Sequence, residues 1–541
     1  MVRRAAARGA VMTESLVLAV VGLLFGALFI VLRTRAYPTE PMPPVMDAAA
    51  ATDHAAATVR RLCGLDVTGW RSFAVLHFDG IVDRLHHLGL VPRQREFLNG
   101  WGLQGSWRVR FIGADGSVLV GLSPRGEVVL FELAGDLRDR VVDRVLPARP
   151  RDGATDHGAD RGGDVGVASD TGDDKGLRQR LGVPGGVWAG AEPVGAGYWT
   201  REDESTERTR RFRATSPDVR IEFDVESLGA TVLRVDSLVE LTNEQVPALE
   251  RAEQREVLAG AGALLGSVLA LVGGVALLAF AGGTAQASLA ALLAVPVLLA
   301  VLFGEGGRFR YTAVHGYEGT QSWAAFRAIN ALTSAVTAVT LSSVVVVAAL
   351  AGSLVAQRVG IPTTSNLGRQ LIWGACLAAT WLGLAAAGYA LLRRAGLARV
   401  SPNPDRRSLR TVGMDLPHVL SLTAQSSIGE EAVFRLLAVP VVLWLTGQPL
   451  LAALVAAVLW AGTHSGGMVR PRWIRFAELT VIGVTLGLVA IEIGIVAALV
   501  AHALYNLVVL SAPLLGVDSG RRRVSEEAPT DARRVSATSA A

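Results

Sequence analysis

Apolar residues gather along this chain in long uncharged runs, set apart by stretches where polar and apolar positions alternate. Leu16–Leu32, Val257–Phe280, Leu289–Phe303, Ala331–Val355 and Ile372–Leu392 are runs of the first kind. Leu436–Leu445 with its upstream part, Leu450–Ala461, Leu479–Ala490 and Ile495–Leu510 follow. Several reach the roughly 20 residues that a helix needs to cross the hydrocarbon core, and the shorter ones need their flanks. The pattern predicts about nine membrane helices, one near the N-terminus and about eight in a core bundle.

Between the first run and the rest, from about Tyr37 to Glu256, the pattern is that of a polar α+β region. An Ala-rich helix is expected over 47–62, a strand over 71–79 and a helix over 81–98. Within Trp107–Leu133 three strands are separated by the turn sequences Ala114-Asp115-Gly116 and Pro124-Arg125-Gly126. A β-meander is expected over 210–241. The stretch 149–176 is dominated by Gly, Asp and Arg and reads as a disordered linker. The expected organisation is a membrane anchor (1–36), an α+β module (37–148), a disordered linker (149–182) and a second α+β, meander-type module (183–256). Membrane helices (257–415), a helical core (416–515) and a disordered tail (516–541) follow. The fold class is thus an all-α polytopic membrane bundle preceded by an anchor helix and a polar α+β region.

Composition agrees with this: 51% of the 541 residues are hydrophobic and 18% charged, and mean hydropathy is +0.39, too apolar for an ordinary soluble protein. Arg3, Arg4 and Arg8 precede the first run as in a signal peptide. That run is long for one, and no small-residue cleavage pattern precedes Arg33, so a retained anchor is expected. The basic residues are arginines apart from Lys175 and are spread over loops and tails, which gives no support to nucleic-acid binding. Cys63 lies in the polar region and Cys376 in an apolar run, so a disulfide between them is not expected.

The positive-inside rule places three arginine clusters in the cytoplasm: Arg393 to Arg410, Arg470 to Arg475 and Arg521 to Arg523. Counting back through the spans puts residues 37–256 inside as well, whereas Arg3, Arg4 and Arg8 would send them outside. The sequence leaves that side open.

Three polar groups stand out in the apolar background. Glu430, Glu431 and Arg435 lie in "EEAVFR", His464 in "LWAGTH", and His502 and Asn506 in "AHALYN". Glu431 and Arg435 are spaced to pair on a helix, and Glu430 is turned away by about 100°. His502 and Asn506 share a helix face. Each group alone has a structural explanation: an ion pair fixing register, an interfacial histidine, interhelical hydrogen bonds. Together, within fewer than 80 residues, they point to function. A carboxylate beside an imidazole can activate water, with or without a metal, and an imidazole–amide pair can donate to an oxyanion.

These motifs resemble those of the CPBP family of intramembrane proteases, which includes the type II CAAX prenyl endopeptidases and the bacteriocin-related Abi proteins. The family pattern is EExxxR, an aromatic (usually Phe) with His four later, and HxxxN. Here Trp460 stands in the Phe place, a change that touches local packing. The resemblance covers about 416–513 and implies that Glu430 is a general base helped by His464, that His502 and Asn506 form an oxyanion hole, and that Glu431 and Arg435 brace the site. The family is labelled metallo-; a Zn²⁺ ion on Glu430, His464 and His502 and a metal-free mechanism both stay open. The polar modules resemble PepSY-type domains that accompany some membrane peptidases.

The expected function is an intramembrane endopeptidase of the bacterial plasma membrane, with membrane lipid around it and a membrane-associated or lipidated peptide or membrane protein as substrate. A non-catalytic immunity or scaffold protein of the same family is the alternative. An ion-coupled transporter ranks third, since no internal repeat is visible.

Overall fold

The computed structural model describes residues 2–37, 46–145, 174–183, 186–200, 206–280, 285–401, 416–464 and 469–511. The linker expected over 149–182 falls outside them up to residue 173, as do Arg406, Arg407, Arg410, Arg521–Arg523 and the tail.

Helix α1 (Val2–Ala36) contains the first apolar run. The polar region follows with α2 (Ala48–Cys63), β1 (Arg71–His77), α3 (Ile81–Leu88), α4 (Val91–Gly100), β2 (Ser106–Ile112), β3 (Ser117–Leu122), β4 (Val128–Ala134) and α5 (Leu137–Val145). Contrary to the disordered linker expected up to residue 182, Asp174–Leu181 forms helix α6, with Leu177 and Leu181 buried in the core, and β5 (Glu192–Thr200), β6 (Thr206–Thr215), β7 (Val219–Leu228) and β8 (Thr231–Leu241) follow. The single helix expected over 81–98 is two. Gly89, at φ 74°, closes α3 in a left-handed cap, and α4 restarts with Pro in its first turn.

All eight strands lie in one antiparallel sheet of order β1-β2-β3-β4-β8-β7-β6-β5. The segments expected as two modules are therefore joined, through the pairs Phe131↔Val235 and Glu132↔Arg234. One hydrophobic core runs beneath both halves, including Val59, Leu98, Phe131, Trp188, Phe212 and Phe223. Helices of the first half (Val59, Leu98 and Val141) and residues of the second (Leu177, Trp188 and Phe212) contribute to this one core.

The bundle consists of α7 (Val246–Phe280), α8 (Ala287–Gly316), α9 (Trp323–Arg358), α10 (Leu367–Arg394), α11 (Leu416–Glu430), a π-helical stretch (Glu431–Ala438), α12 (Val439–Thr446), α13 (Pro449–Thr463), α14 (Arg472–Glu492) and α15 (Ile495–Ser511). Among the described residues six helices are long and apolar enough to cross a membrane: α1, α7, α8, α9, α10 and α14. The shorter α13 and α15 are apolar helices of 15 and 17 residues. By length and composition the chain is thus a membrane protein with fewer clear spans than the expected eight in the core.

Small residues let the site's helices approach closely. A Cβ on Gly483 or Gly487 of α14 would stand 2.7 and 2.9 Å from the Cβ atoms of Ala457 and Ala453 on α13. A Cβ on Gly352 of α9 would come within 2.1 Å of the Leu436 carbonyl oxygen in the π-helical stretch.

The sheet sits on the ends of α8 and α9. Buried Arg110 of β2 donates to the Val314 carbonyl (2.7 Å) near the C-terminus of α8 and to Ser117 Oγ (2.9 Å). Elsewhere Arg84 pairs with Glu253 of α7 (2.8 Å), and the His87 carbonyl accepts from Arg399 (3.3 Å). A short ladder of β9 (Arg399–Val400) and β10 (Val469–Arg470) lies at this end, where Arg470 and Arg472 pair with Glu256 of α7. Helix α1 runs parallel to α10, with Glu14 on Arg369 at one end (2.9 Å) and the Arg35 carbonyl accepting from Arg393 at the other. The described residues between 46 and 256 therefore share a side with Arg393, Arg399, Arg470 and Arg472, and the start of α1 lies at the opposite end.

Candidate active site

Glu430 ends α11, and Glu431 opens the π-helical stretch that continues it. Such wider turns recur at functional sites. The two carboxylates have different surroundings. Glu431 and Arg435 are buried (2% and 1% exposed), while the Glu430 side chain is 21% exposed. Helix α13 delivers Trp460 and, at its C-terminal cap, His464; α15 delivers His502 and Asn506.

The Glu430 carboxylate is the meeting point. Its Oε1 faces His464 Nε2 at 3.3 Å, and its Oε2 accepts from the Trp460 indole N–H at 2.5 Å and faces His502 Nε2 at 3.7 Å. Glu431 Oε1 lies 2.8 Å from His502 Nδ1 and 3.1 Å from Arg435 Nη1. The expected i,i+4 pair is thus formed, and it also holds an imidazole. The guanidinium of Arg435 lies 4.4 Å from the Trp460 ring centroid, a cation–π contact in a desolvated setting.

Hydrogen-bond partners fix the tautomers. His464 Nδ1 is 3.0 Å from the Trp460 carbonyl and 2.9 Å from Thr463 Oγ1. The Thr463 hydroxyl gives its own proton to that carbonyl at 2.7 Å. Nδ1 therefore faces two acceptors and carries a proton. His502 Nδ1 faces the carboxyl oxygen Oε1 of Glu431 at 2.8 Å and carries one too. With Nδ1 protonated on each ring, Nε2 presents a lone pair to Glu430 when the ring is neutral and is an N–H donor when it is an imidazolium.

Five of the six expected residues, Glu430, Glu431, Arg435, His464 and His502, form one connected cluster. Asn506 sits one turn away, where its Nδ2 is 3.1 and 3.3 Å from the hydroxyls of Ser426 and Ser427 on α11. An oxyanion contact from Asn506 requires its amide to leave those serines. The serines were not singled out in the sequence, although they lie only four and three residues before Glu430. Nor was the indole N–H of Trp460, since the motif was matched on ring type.

Glu430 stands between His464 and His502, with its carboxylate oxygens 3.3 and 3.7 Å from their Nε2 atoms. Among the described residues no group of three or more His, Cys, Asp or Glu side chains is arranged to hold a metal ion. Each histidine Nε2 instead addresses an oxygen of Glu430.

The three motifs thus converge on a shielded carboxylate between apolar helices. Residues 413–508 match the family described as type II CAAX prenyl endopeptidase Rce1-like, and the C-terminal part of this chain carries a domain of that family. Over a longer stretch the chain is similar to the sporulation-killing factor biosynthesis protein SkfC of Bacillus subtilis (strain 168), with 29% identity over 458 residues, covering 84% of this chain and 87% of the relative. No solved structure matches the chain.

Proposed function

We propose that the chain is an intramembrane endopeptidase that hydrolyses a peptide bond in a membrane-associated peptide. The observation that carries this reading is the Glu430 carboxylate set between two imidazole Nε2 atoms at 3.3 and 3.7 Å.

Water beside Glu430 attacks the scissile carbonyl carbon and gives up a proton to the Glu430–His464 pair. His502, as an imidazolium held by Glu431, donates from Nε2 to the oxyanion that forms. The tetrahedral intermediate collapses as the C–N bond breaks. The proton stored on Glu430–His464 passes to the leaving amine, so that one water is consumed and a carboxylate and an amine are released. Arg435 pairs with Glu431, and Glu431 holds His502 Nδ1 at 2.8 Å. No step of this scheme is routed through a metal.

The similarity to a biosynthesis protein of a killing factor makes a small precursor peptide the substrate class of choice. Glu430→Gln should reduce cleavage of membrane-associated peptides in proteoliposomes by at least about a hundredfold, with the products read by mass spectrometry. Equal cleavage by both proteins contradicts the assignment. Chelators should leave the wild-type rate unchanged; a loss restored by Zn²⁺ would instead place a metal on Glu430, His464 and His502.

A further inference from the structure

Trp460 stands where the resembled motif has Phe, and its extra atom is used. The indole N–H can only donate, so its 2.5 Å contact has one sense: Glu430 Oε2 accepts. The main-chain carbonyl of the same residue holds His464 Nδ1 at 3.0 Å. One residue thus fixes one oxygen of Glu430 and also the imidazole that faces the other oxygen, at 3.3 Å. Trp460 is 4% exposed. Arg435 lies against it, and His502 meets it edge-on, with centroids 5.5 Å apart and planes at 78°.

We infer that Trp460 is a positioning residue that clamps the Glu430 carboxylate and His464 in register, a role that rests on Glu430 being the base proposed above. Phe at this position keeps the carbonyl and most of the ring but leaves Oε2 without the indole donor. The carboxylate is then free to turn, and Oε1 no longer stays on His464.

Trp460→Phe should lower kcat by about 10- to 100-fold, the range for losing a hydrogen bond to a charged group, with KM unchanged. Benzothienylalanine at position 460, which has the ring size without the N–H, should reproduce the loss and serves if the Phe variant folds poorly. Unchanged kcat in both, or a change confined to KM, overturns the role.

A second arm needs no substrate. In a double-mutant cycle on thermal midpoint, Trp460→Phe should cost more with Glu430 present than in Glu430→Ala. Equal costs in the two backgrounds mean that no bond couples the pair, and the clamp is overturned. Cleavage by Glu430→Gln at the wild-type rate would remove the base reading, and the positioning role with it, whatever the cycle gives.

Discussion

Glu431 and Arg435 form an ion pair almost fully removed from water, and at this scale desolvation decides the energetics. Removing one partner of a buried pair strands the other, at a cost of about 3–5 kcal/mol. Arg435→Met should therefore lower the thermal midpoint sharply, and adding Glu431→Gln should recover part of the loss; strictly additive losses would show that the pair is not coupled. The spacing made this pair legible in the sequence. The bond from Trp460 was not, because ring identity says nothing about where an N–H points. The role of Ser426 and Ser427 was hidden as well, since a serine in an apolar helix usually bonds back to its own turn.

Another residue-scale feature lies at the sheet–bundle junction. His77 of β1 and His315 of α8, beyond the spanning part of that helix, have ring centroids 5.3 Å apart. Burial lowers the pKa of each from 6.5 to about 4. For His77, Arg108 adds to this; for His315, its neighbour His77 adds first, then Arg108 and Arg110. A histidine with a depressed folded-state value stabilises the native state fully above its unfolded value. That contribution is lost as pH falls from about 6.5 toward 4. Melting curves across this range should show the midpoint falling on acidification, with a smaller fall in His77→Phe. An identical slope in the variant would mean that this junction does not respond to acid.

At the scale of elements, each apolar run proved helical, because a 3.6-residue periodicity or an uninterrupted apolar stretch is a strong signal. The π-helical stretch at Glu431–Ala438 left no such mark, as its amino acids suit an ordinary α-helix equally well. Strand β5 was missed because "EPVGAGYWT" holds two glycines and little alternation. The contact between α9 and the π-helical stretch makes a prediction here. Gly352→Ala puts a methyl group into the Leu436 carbonyl and should destabilise by about 1–3 kcal/mol, the usual cost of overpacking. Because the moved segment carries Glu431 and Arg435, cleavage should fall as well. An unchanged midpoint and rate would show that the helices separate freely.

For the whole molecule, the count from the arginine loops and the count from the N-terminal arginines disagreed in sequence, and the packing of α1 and α10 bears on the choice. The polar region lies with Arg393, Arg399, Arg470 and Arg472, the loops that the positive-inside rule assigns to the cytoplasm. We propose that the sheet is cytoplasmic. A cysteine introduced by Arg60→Cys, with Cys63→Ser and Cys376→Ala, should escape a membrane-impermeant maleimide in intact cells and react after lysis. Labelling of intact cells would place the sheet outside. The joining of the two halves into one sheet was beyond the sequence, since pairing of β4 with β8 is a contact between residues about 100 apart.

The central claim is that water, activated at Glu430, opens a peptide bond within the bundle. Its most direct test is cleavage in ¹⁸O-water by the reconstituted wild type and Glu430→Gln, with mass spectrometry of the products. The account predicts one ¹⁸O in the new C-terminal carboxylate from wild type, and almost no product from the variant. Product formed at the same rate by both proteins, or product without the label, would contradict it.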